Sequence, residues 1–162
     1  MKSFLKVALV ILIPLFIFIY FFIPNEILIT QEVLVPQASN GTARTITDAN
    51  KWKFWLPSKK QVKNVFFLEN GKIELNGAGI ASIKTILTMN DRQLPVTFFS
   101  IFGGKDTSII KYETIINNRY TSPILRINNY LTSLNAKSQL KKILDAAGKY
   151  HSITKNIYNF PI

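Results

Sequence analysis

The residues that could do chemistry are few and scattered. His151 is the only histidine, and the chain has no cysteine. A bound metal needs several ligands and a general base needs a partner, and His151 has no second histidine or thiolate to share an ion. A solvent-facing imidazole is therefore expected. The missing cysteines exclude a disulfide framework, thiolate ligation, a cysteine nucleophile and lipoprotein acylation. None of the serines sits in the glycine-flanked elbow that exposes a serine nucleophile. Beyond the first predicted strand the acids are Asp48, Glu69, Glu74, Asp91, Asp106, Glu113 and Asp145, several of them at predicted turns or helix ends. Glu74 and Glu113 could point into an interior, although a solvated sheet face is their ordinary place. Gly77, Gly79 and Gly103-Gly104 lack the following helix that a phosphate loop requires, so hairpin turns are the better reading. Asn40-Gly41-Thr42 matches the short glycosylation sequon. These residues assemble no catalytic set, no metal site and no cofactor site.

A second cluster has binding chemistry. NKWKFWLPSKK (50–60) holds both tryptophans, Trp52 and Trp55, among Lys51, Lys53, Lys59 and Lys60. Interleaved basic and aromatic side chains suit nucleic acid or anionic headgroups. Packed tryptophans with wet lysines is the competing reading, because large aromatics are usually buried. The net charge of +11 fits either an anionic partner or a well-solvated basic surface.

The N-terminus decides between partners. Val7–Ile23 contains no charged and no strongly polar side chain. With Phe4, Leu5 and the stem of Lys6 it reaches the roughly 20 residues that a helix needs to cross a bilayer core. Pro14 is tolerated in lipid, and Tyr20 suits the interface. The following FFIPNEILIT offers no small-residue cleavage site, so residues 4–24 are expected to form an uncleaved transmembrane anchor. Lys2 and Lys6 precede the run, while Glu26 and Glu32 follow it with no basic residue before Arg44. By the positive-inside rule the N-terminus is cytoplasmic and the rest extracytoplasmic, in a bacterium periplasmic at the inner membrane. That placement argues against nucleic acid and leaves the bilayer itself as partner.

The exported part has a clear order. ILITQEVLV (27–35) alternates as a strand ending at Pro36, and residues 37–50 hold at most one short helix. From 62 to 117, β-rich runs alternate with turn signals at Asn70-Gly71, Asn90-Asp91 and Gly103-Gly104, which predicts about five further strands in an antiparallel meander. Ser122-Pro123 then opens a helix of roughly 123–148, with Ile124, Ile127, Leu131, Leu134, Leu140, Ile143, Leu144 and Ala147 as its apolar stripe and Gly148 as its stop. A curved sheet wrapped on a long helix leaves a space between them, with Phe66, Phe98, Phe102, Tyr112, Ile127, Leu131 and Leu134 as candidate lining. The parity of the strands is open by one residue.

The order Asp48, Trp52, Trp55 and Pro57 after a strand and Pro36, with a long helix entered through Ser-Pro, resembles the SRPBCC superfamily (START-like, polyketide cyclase-like). The likeness covers residues 27–150. It implies an α+β helix-grip fold whose cavity takes a hydrophobic small molecule or lipid, with catalysis in some branches only. An interaction or scaffold domain with a filled core, or a cyclase-type enzyme, stay as alternatives. Asn40, Gly41, Thr42 and Ala43 stand where such proteins usually carry bulky apolar residues. Residues 151–162 read as a tail or the start of a strand, as if a following domain had been lost.

Overall fold

The computed structural model describes the backbone of residues 2–158 and the side chains of residues 10–154. Its elements run α1 (Lys2–Phe22), β1 (Glu26–Val35), α2 (Ser39–Thr47), α3 (Ala49–Trp55), β2 (Lys60–Val62), β3 (Val65–Leu68), β4 (Gly71–Ala78), β5 (Ser82–Met89), β6 (Arg92–Gly104), β7 (Thr107–Asn117) and α4 (Pro123–Tyr158). All neighbours in the seven-stranded sheet are antiparallel, in the order β1-β7-β6-β5-β4-β3-β2. Only β1 leaves the meander, to pair with β7 at the far edge. α2, α3 and α4 pack on one face, so the architecture is α+β and helix-grip-like.

Local chemistry explains most boundaries and corrects several expected ones. The stretch expected as one strand from 62 divides into β2 and β3, because Lys63 adopts a left-handed φ of 52° and folds Val62 back on Val65. Asn90 and Asp91, at φ 47° and 61°, make the expected tight hairpin, with Met89 paired to Arg92. At the other two hairpins the glycines are inside strands. Leu68 pairs with Gly71, leaving Glu69-Asn70 as the turn, and a Cβ on Gly71 would lie 2.2 Å from the Thr88 carbonyl oxygen. Gly104 pairs with Thr107 across Lys105-Asp106.

Residues 37–50 hold more helix than expected. Asp48 ends α2 and caps α3, accepting a 2.9 Å bond from the Asn50 amide. The long helix runs ten residues past the expected stop, to Tyr158. Gly148 lies inside it, where the backbone passes β1 so closely that a Cβ would stand 3.1 Å from Val33 Cγ2. The glycine marks a close approach, not a terminus. Residues 159–162 of the expected tail lie outside the described residues.

The first helix is continuous through Pro14. Among the described residues, no helix is long and apolar enough to cross a membrane; the described side chains of α1 begin at Val10.

Candidate functional site: the seam between β1 and α4

The interior of the grip is built by strand alternation. Phe66, Phe98 and Tyr112 project from β3, β6 and β7 onto the face covered by the helices, and all three are buried. Trp52 descends among them from α3. Its ring centroid lies 4.6 Å from Trp55, 5.4 Å from Phe98 and 6.2 Å from Phe66, and Phe98 lies 5.9 Å from Tyr112. The Trp52 indole donates a 2.7 Å bond to the Ile46 carbonyl, so its one polar atom is satisfied. The tryptophans are therefore internal wedges. Around them Lys53, Lys59, Lys60, Phe54 and Pro57 are exposed and Lys51 half-buried.

Three of the candidate lining residues thus meet in one aromatic cluster with Trp52. The other four lie elsewhere. Phe102 has the inward parity, but β6 beyond Ser100 projects past the helical layer, and Phe102 is 72% exposed. Ile127, Leu131 and Leu134 are 38–51% exposed, on the side of α4 away from its buried stripe. That stripe is Arg126, Asn129, Ser133, Ala136, Leu140, Ile143, Ala147, His151 and Thr154, every step three or four residues. The expected stripe contained a step of six between Leu134 and Leu140, which rotates the face by about a third of a turn.

The polar members of the true stripe were missed by motif reading. Arg126 binds the end of α1. Its guanidinium donates to the carbonyls of Tyr20 (3.2 Å), Ile23 (2.9 Å) and Asn118 (3.1 Å) and to the Asn25 side chain, with Tyr20 stacked 4.4 Å away. A cation there complements the negative end of the α1 dipole. Asn129 bonds Asn118 at 2.7 Å and also Arg92. At the opposite end, His151 is fully buried instead of solvent-facing and bonds the Gln37 side chain. Burial pushes its pKa down to about 4. Tyr112 bonds Gln31 at 2.9 Å, and burial, helped by the Asp145 carboxylate, pushes its phenol up to about 12.

Space is left open at the seam where α4 runs beside β1. A groove of about 230 Å³ is lined by Ile27, Leu28, Ile29, Thr30, Tyr130, Ser133, Leu134 and Lys137, a mixed polar and apolar wall. Leu134 thus lines an opening, though at the seam and not in the aromatic interior. On the other flank of α4 lies an amide-rich cleft of about 360 Å³, lined by Asn70, Asn90, Asn135, Ser138, Gln139 and Lys142. Among the described residues, no three His, Cys, Asp or Glu side chains are grouped to hold a metal ion.

No protein-family model matches the chain, and no curated protein matches it. Solved structures do. A norcoclaurine synthase variant from Thalictrum flavum, in complex with a transition-state analogue, is 14% identical with a TM-score of 0.58, covering 80% of this chain and 96% of that one. The ZhuI aromatase/cyclase from Streptomyces sp. R1128 is 7% identical with a TM-score of 0.51, covering 80% and 95%. DynU16, a protein of the dynemicin biosynthetic locus, is 12% identical with a TM-score of 0.53, covering 76% of this chain and 46% of that one. At such identities the likeness is one of fold alone, and what it supports is the helix-grip-like α+β architecture described above.

Proposed function

We propose that the chain is a membrane-anchored helix-grip domain that holds the chain of a lipid or another hydrophobic small molecule in the groove between β1 and α4. The groove carries this reading: Ile27, Ile29, Tyr130 and Leu134 supply apolar walls, and Lys137 in the same lining would meet a polar or anionic headgroup. Its size, about 230 Å³, is below the usual range for whole drug-sized ligands and suits a single chain segment. The anchor rests on the apolar run Val7–Ile23, carried on one helix, Lys2–Phe22. Lys2 and Lys6 before it and Glu26 and Glu32 after it support an N-terminus in the cytoplasm and a periplasmic domain at the inner membrane.

One observation favours a second reading, a scaffold domain without ligand: Trp52 fills the centre of the grip that a larger ligand would need. A photoreactive diazirine fatty acid separates the two. Full-length protein in lipid nanodiscs is irradiated with the probe, and the adducts are mapped by peptide mass spectrometry. Adducts at Ile27–Thr30 and Tyr130–Leu134, lost when Leu134→Trp fills the groove, are the expected result. Label confined to α1 would leave the scaffold reading standing.

A further inference from the structure

The apolar residues nearest the end of α1 are unusually bare. Tyr120 is 95% exposed, Ile124 72% and Leu125 41%. They flank a turn that is bonded to the last turn of α1 at several points. The Tyr20 hydroxyl donates to the Thr121 carbonyl at 2.9 Å. The Asn118 amide bonds the Asn25 carbonyl at 2.7 Å, and its side chain bonds the Pro24 carbonyl at 3.1 Å. Arg126 ties the Tyr20 and Ile23 carbonyls to that of Asn118. Only Ile23, Pro24 and Asn25 separate α1 from β1. The turn therefore cannot move away from the end of α1 without breaking these bonds.

We propose that residues 119–127 form an interfacial foot, which seats the domain on the bilayer that α1 crosses. The proposal rests on the anchor reading above. If the apolar run ends at Ile23, Tyr20 lies within one helical turn, about 5.4 Å, of the hydrocarbon boundary. Its bond holds Thr121 at that depth, so Tyr120, Ile124 and Leu125 reach a headgroup layer that is roughly 5–7 Å thick. Tyrosine with adjacent aliphatic side chains is the composition that settles there. Charge agrees: Arg119 is exposed beside Tyr120 and suits anionic lipid, while Arg126 is buried against the end of α1. The domain then has one fixed orientation on the membrane.

The cysteine-free chain makes the test clean. Phe16→Cys, Tyr120→Cys, Ile124→Cys and Ile80→Cys, one at a time in the full-length chain, carry an environment-sensitive fluorophore. Each protein is reconstituted in nanodiscs containing phosphatidylglycerol, with and without spin-labelled quencher lipids. Ile80, 99% exposed, is the distant control. It lies beside Ser82, which the ladder Ser82–Phe99–Lys111–Glu32 places level with Glu32, about 20 Å up the sheet from Glu26. The expected result is quenching at 16 by deep labels, quenching and a blue shift at 120 and 124 by shallow labels, and neither at 80. Quenching at 16 but not at 120 and 124 overturns the foot and leaves the anchor. A blue shift at 120 and 124 without quenching means that protein covers them and also overturns it. No quenching at 16 removes the anchor and the foot together. Unchanged emission from Trp52 and Trp55 reports that each variant is folded.

Discussion

His151 makes the domain sensitive to acid in a way that can be worked out beforehand. The imidazole is fully buried, bonds Gln37, and lies 5.5 Å from the Tyr150 ring, with no acid bonded to it among the described residues. Its pKa falls from 6.5 to about 4 because the charged form would lose its hydration. Above pH 6.5 the ring is neutral in both folded and unfolded chains and contributes nothing to the pH dependence. Between about 6.5 and 4 the unfolded chain takes up a proton that the folded chain refuses, so stability falls as pH falls, by up to about 1.4 kcal/mol per pH unit. Below pH 4 the folded state is protonated too and the loss levels off at about 3 kcal/mol. Urea unfolding of the full-length chain in mild detergent measures this, because Trp52 and Trp55, both buried, report the transition. His151→Gln keeps an amide against Gln37 and cannot charge. Wild type should lose about 2 kcal/mol more than His151→Gln between pH 7 and 4.5, other titrating groups cancelling in the comparison. Parallel losses in the two proteins would refute the reasoning.

Two further substitutions test the ends of α4. Arg126→Met leaves the carbonyls of Tyr20, Ile23 and Asn118 without their donor; it should cost about 2–4 kcal/mol in urea unfolding, with hydrogen exchange accelerated in residues 117–125. Gly148→Ala sets about 1 kcal/mol of helix propensity against a crowded Val33. Alone it should be destabilising, and in a Val33→Ala background stabilising, a change of sign that a double-mutant cycle reads directly.

Much of the fold was legible because periodicity and turn chemistry are local. The alternation of Ile27, Ile29, Gln31, Val33 and Val35 marked one face of β1, though not which way it pointed, and Asn90-Asp91 marked the hairpin between β5 and β6. Trp52 and Trp55 were legible as wedges once their order with Asp48 and Pro57 was seen. The strand division at Lys63 was not, since a lysine in the left-handed region announces nothing in sequence. Gly148 was misread as a stop because a glycine needed for close approach looks the same as a capping one. His151 was misread because burial depends on how far α4 continues. The face of α4 was readable in principle: extending Leu140 backward at steps of three and four reaches Ala136, Ser133, Asn129 and Arg126. Treating only apolar residues as core markers concealed it.

That polar stripe also explains where the domain is open. Towards its C-terminal end α4 meets the sheet through Leu140, Ile143, Leu144 and Ala147, and Gly148 lets it close tightly on Val33. Towards its N-terminal end the buried positions are Arg126, Asn129 and Ser133, whose hydrogen bonds go to the end of α1, the Asn118 turn and the helix itself. A charged or amide side chain must spend its position on such partners and cannot also fill apolar volume. Ile27 and Ile29 therefore lack a full apolar counterpart on α4, and Tyr130 and Leu134 line the gap without closing it. The same residues that fasten α1 to the domain thus keep the seam beside it open. Replacing Ser133 with leucine should close the groove and leave the Arg126 clamp intact, which separates the two roles by one substitution.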